Sequence, residues 1–92
     1  MKANQHIKFI EGKFCPEEAK ELLVNLINNK IQFHTMKNFS SEERFGKPVE
    51  GSQKRITELK ESREKIILMI RQAVDEKAHL RIESAINIAL EK

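Results

Sequence analysis

The strongest constraint on this chain's fold lies near its C-terminal end. Leu80, Ile82, Ser84, Ile86, Ile88 and Leu90 occupy every second position, with Arg81, Glu83, Asn87 and Glu91 among the residues between them. Successive side chains of a strand point to opposite faces, so the pattern predicts a strand over residues 80–90 with one apolar and one polar side. Its partner is expected near the N-terminus. In the segment Gln5 to Phe14, Ile7 and Phe9 stand two apart with Lys8 between them before a break at Gly12. That segment reads as a strand over residues 5–14 with a bulge at Gly12.

Between the two strands the apolar period changes. Pro16 suits the first position of a helix, where a missing N–H costs nothing, and Glu17 and Glu18 complement the helix dipole. Ala19, Leu22, Leu23, Leu26, Ile27 and Ile31 follow at steps of three and four, predicting a helix over 16–37. Ser40-Ser41-Glu42-Glu43 has the form of a capping box, so a connection with a short helical turn is expected over 38–51. Ser52 then reads as the N-cap of a second helix over 52–78. Ile56, Leu59, Arg63, Ile66, Ile70 and Ala73 give that helix the seam of one paired with another helix.

The order is therefore strand, helix, helix, strand, an α+β class domain over residues 1–92. Two long antiparallel helices pack on a two-stranded antiparallel ribbon. A ribbon of two strands is marginal in water and exposes an unpaired edge on each side. Leu22-Leu23-Val24 with Leu26-Ile27, and the run Ile66 to Ile70, are apolar around more of the helix than one neighbour requires, and they fall at matching heights in an antiparallel pair. A homodimer is the expected resolution, completing a larger sheet or bundle.

Composition narrows the function classes. Of the 92 residues, 34% are charged and 39% apolar, a balance of folded rather than disordered chains. The longest apolar run is Ile66 to Ile70, far short of the ~20 residues of a membrane span. No membrane association and a cytoplasmic location are therefore expected, and a lone Cys15, which precludes an internal disulfide, fits a reducing compartment. The net charge of +3 is spread along the chain, with a local excess between Lys30 and Arg55.

Chemistry-bearing residues gather at the free end of the helical hairpin. His34, Lys37, Asn38, Phe39, Arg44, Phe45 and Arg55 form the candidate interaction surface. There Phe39 or Phe45 would anchor a protein or peptide partner between Lys37 and Arg44. Phe33, Met36, Phe39 and Phe45 are expected to fold back and plug the open end of the hairpin. His34 beside Glu42 or Glu43 is the sole acid/base candidate, but without a Gly-rich phosphate loop or a nucleophile motif the reading is non-catalytic. His6, His34 and His79 are too scattered to ligate a metal, although the antiparallel ribbon is expected to bring His6 near His79. No cofactor is expected. Cys15 reads as a small buried cap at a helix start in preference to a reactive thiolate favoured by the helix dipole.

The preferred function is a small self-associating interaction module. The alternative is a nucleic-acid-binding accessory protein, whose basic hairpin tip would neutralise phosphates. Interspersed glutamates and the absence of Tyr and Trp weigh against that alternative.

Overall fold

A computed structural model describes residues 4–91. Its elements are β1 (Asn4–Phe14), α1 (Pro16–Phe45), α2 (Ser52–Asp75) and β2 (Leu80–Ala89). The two helices pack against a two-stranded antiparallel sheet, the expected β-α-α-β arrangement of the α+β class.

The ribbon pairs Phe14 with Leu80 at the helical end and Asn4 with Ala89 at the far end. One irregularity interrupts the pairing, between Lys8 and Ile10, so the bulge lies at Phe9 rather than at Gly12. Its effect is to change the phase of β1. Ile7 pairs with Ile86 and Ile10 with Ser84, so two isoleucines three residues apart face the same side as Ile82, Ile86 and Ile88. The register also separates the two strand histidines. His6 pairs with Asn87 and bonds its side chain at the far end, whereas His79 precedes β2 at the helical end. The expected proximity of His6 and His79 is therefore wrong, because β1 arrives at its helix only eight residues after His6.

At the start of α1, Cys15 is the N-cap, and the Glu18 carboxylate accepts both its backbone N–H at 3.4 Å and its thiol at 3.1 Å. These bonds, the thiol's first, lower the Glu18 pKa below the usual carboxylate value. The helix does not stop near Lys37. It runs unbroken to Phe45, and Gly46 ends it in the left-handed conformation (φ 76°), donating to Glu42 O at 2.9 Å. Ser40 to Glu43 are interior helix residues rather than a new cap. The connection shrinks accordingly to residues 46–51, held by the Asn38 Oδ1 that accepts the Val49 N–H at 3.1 Å and by the Ser41 hydroxyl donating to Lys47 O at 2.8 Å.

Ser52 is the first residue of α2, and Gly51 (φ 78°) takes the cap position expected for it. At the other end α2 stops at Asp75, three residues early. Lys77 turns to φ 54° and the Ala78 N–H reaches back to Ala73 O, a helix stop that delivers the chain to β2. The helices are antiparallel. Arg63 Nη1 donates to Asn28 Oδ1 at 2.6 Å, which places Leu22–Ile27 opposite the apolar run of α2.

Burial is concentrated where helix and ribbon meet. Ile10, Ala19 and Ile82 form the core cluster, with Phe14, Leu22, Leu23, Leu26 and Leu80 packed around them. A second row, Ile56, Leu59, Ile70 and Ala73, is buried along the helix seam. Beyond these places the packing is thin. A monomer of 10.7 kDa is expected to expose about 5,500 Å² and, at 92 residues, to have a radius of gyration of about 12 Å. This chain exposes 7861 Å² and has a radius of gyration of 16.7 Å.

Candidate functional site

The straight course of α1 decides where the candidate residues sit. Side chains advance by about 100° per residue on a helix, so Lys30, Phe33, His34 and Lys37 share one face while Phe39 lies about 200° from Lys37. The structure therefore divides the expected surface in two.

One side is cationic. The Lys30 and Lys37 ammonium groups lie 4.9 and 5.7 Å from the centre of the Phe33 ring, and His34 meets the same ring edge-on at 5.6 Å. No aspartate or glutamate occurs between Leu22 and Ser41. From α2, Arg55 adds its charge, partly engaged by Glu58 at 3.5 Å. His34 Nε2 is shielded from solvent and has no hydrogen-bond partner. Desolvation, with Lys30, Arg55 and Lys37 nearby, keeps its pKa below the ordinary histidine value. Its surroundings are cationic, in contrast to the carboxylate partner that the sequence suggested.

The other side is a shallow pocket of about 330 Å³ in which Thr35, Phe39 and Glu42 of α1 face Gln53, Ile56 and Lys60 of α2. Phe39 thus sits with neutral and mixed-charge neighbours, not between Lys37 and Arg44. Asn38 is buried and committed to Val49, so it fastens the connection instead of belonging to an exposed surface. Arg44 and Phe45 end α1, with Phe45 72% exposed. The hairpin tip is not plugged: Phe33, Met36, Phe39 and Phe45 all remain exposed, because none of the described residues folds back over them.

Further apolar residues are exposed away from the tip. Ile7, Ile86 and Ile88 continue the apolar side of the ribbon beyond the core cluster, and no helix reaches them. Leu68, Met69 and Val74 are exposed on α2. Between α2 and β2 lies a cleft of about 560 Å³ whose lining includes Leu23, Met69, Ala73, Leu80 and Ile82. The signal for this surface was the unbroken alternation up to Leu90, longer than the part of the ribbon that two helices can cover.

Cys15 is partly exposed and occupied as a cap donor to Glu18. Among the described residues no group of three His, Cys, Asp or Glu side chains is placed to hold a metal ion. No helix among them is long and apolar enough to cross a membrane. No protein-family model matches the chain, and no curated protein or solved structure shows detectable similarity to it.

Proposed function

We propose that the protein is a non-catalytic interaction module that works as a homodimer. The observation that carries this reading is the surface excess: 7861 Å² against about 5,500 Å² for a monomer of this mass, a difference of roughly 2,400 Å². Two copies together carry about twice that excess, roughly 4,700 Å², which falls within the span of about 2,000–5,000 Å² that permanent homodimer interfaces bury in total. The character of the surface agrees, since Ile7, Phe9, Ile86, Ile88, Leu68 and Met69 are all exposed. Large apolar patches on a soluble chain mark association surfaces.

Sedimentation equilibrium from low to high micromolar concentration tests the reading. The expected result is a species of twice the chain mass. A single 10.7 kDa species throughout the range rejects it.

The cationic side of α1 supports a second reading, association of the hairpin tip with a polyanion such as nucleic acid. Lys30, Lys37 and Arg55 can neutralise phosphates, and the exposed Phe33 lies beside two of these groups. Binding of this kind is salt-dependent and indifferent to sequence. An electrophoretic shift with DNA or RNA at low salt that disappears at moderate salt, and that Lys30→Glu with Lys37→Glu abolishes, is the expected result. No shift at low salt removes this reading.

A further inference from the structure

The two edges of the ribbon are unlike. β1 carries Gly12 and the irregularity at Phe9, and such features blunt an edge against pairing with another strand. β2 runs for ten residues with no glycine, no proline and no bulge, and its outer edge pairs with no other strand among the described residues. That edge opens into the cleft beneath α2. The cleft lining includes the consecutive residues Ala78 to Glu83 together with Met69, Gln72, Ala73 and Glu76, so it follows the backbone of β2 as well as one of its faces. A groove bounded by a free strand edge and an apolar helix flank takes a further strand, bound by main-chain hydrogen bonds on one side and side-chain burial on the other.

We infer that the occupant is β2 of a second copy, paired antiparallel across a twofold axis at Ala85. This deepens the homodimer reading and rests on it. The pairing gives a four-stranded sheet in the order β1, β2, then the partner's β2 and β1. Both ribbons turn their apolar sides toward the same helical layer, because a twofold perpendicular to a sheet preserves its faces.

The register follows from the strand itself. Centring on Ala85 pairs Arg81 to Ala89 of the two copies, setting Ile82 opposite Ile88 and Ser84 opposite Ile86 between them. Residues directly opposite share a face, so the bare Ile86 and Ile88 of each copy come to lie beside the covered Ile82 of the other, inside its cleft. On the polar side Glu83 meets Asn87 and Arg81 meets Ala89, with no like charges face to face. One contact thus pairs the open edge of β2, fills the cleft under Met69 and Ala73, and covers the far half of the ribbon.

Cysteine cross-linking tests the pairing in a Cys15→Ser background. Ala85 is exposed on the polar side, so Ala85→Cys leaves the apolar face intact. At the twofold its Cα atoms lie about 4.5–5.5 Å apart, within reach of a disulfide. Asn87→Cys is the control, since its two copies stand about 14 Å apart along the strands. Mild oxidation is expected to yield at least about fivefold more covalent dimer with Ala85→Cys than with Asn87→Cys, since a disulfide needs closely spaced Cα atoms. Circular dichroism checks that both variants fold. A dimer in sedimentation with equal or reversed cross-linking overturns this pairing and leaves self-association standing. A monomer in sedimentation overturns both.

Discussion

Ile82 and Ile88 belong to one strand, point to one side of one ribbon and stand six residues apart, yet Ile82 is 8% exposed and Ile88 is 51% exposed. On β1 the same contrast separates Ile10, at 8%, from Ile7, at 46%. Chemistry does not distinguish the halves. Reach does: Ala19, Leu22, Leu23 and Leu26 of α1 cover the ribbon next to its junction, and the far half extends past them. The near half belongs to the core of a single copy, whereas the far half has an apolar pattern whose cover must come from outside that core.

The sharpest way to break this comparison is to truncate one residue in each half. Ile82→Ala removes buried methyl groups from the core cluster and is expected to cost about 2–4 kcal/mol, read by urea denaturation at any protein concentration. Ile88→Asp is expected to act through association instead. Its melting temperature should fall to that of the dissociated chain and lose its dependence on protein concentration. Equal, concentration-independent losses from both variants would erase the distinction between the halves.

A smaller effect contrasts the hairpin tip with the junction. The tip is tied by polar contacts, and Asn38→Ala leaves the Val49 N–H without its acceptor, at an expected cost of about 1–2 kcal/mol in the same denaturation experiment. Gly46→Ala forces a side chain into the left-handed conformation at φ 76° and is expected to cost about 1 kcal/mol. The mildest effect concerns His34. Its folded pKa is lowered, so as pH falls an unfolded chain takes up the proton first, and the histidine's contribution is intact above about pH 6.5 and is lost as pH drops through the folded value. Melting temperature should therefore decline between pH 7 and pH 5 more for the wild type than for His34→Gln. Identical pH profiles would show that the shielded ring does not couple to folding.

Elements whose periodicity extends over many residues were legible in the sequence. The alternation from Leu80 placed β2, the three-and-four spacing from Ile56 placed the seam of α2, and Pro16 placed the start of α1. The end of α1 was not legible, because Asn38, Ser40 and Ser41 have the composition of a helix terminus. In the structure Asn38 and Ser41 instead send their polar groups to Val49 and Lys47 across the connection, and these tertiary bonds outweigh local preference. That error carried into the candidate surface. With α1 broken at Lys37, Phe39 could be imagined beside Lys37 and Arg44; on a continuous helix, geometry sets Phe39 on a different side. His34 and Lys37 lie with Lys30 around the Phe33 ring, and Arg55 of α2 adds its charge nearby.

The bulge at Phe9 has a consequence for how the arm tolerates insertion and deletion. It is a phase slip of one residue, and everything before it owes its orientation to that slip. Were the same residues paired in regular alternation along their full length, Ile7 and His6 would exchange sides; deleting Phe9 instead removes the slip together with the extra residue and keeps Ile7 on the greasy side. The arm thus tolerates loss of that one residue, whereas straightening it at its present length would turn the outer isoleucine to water.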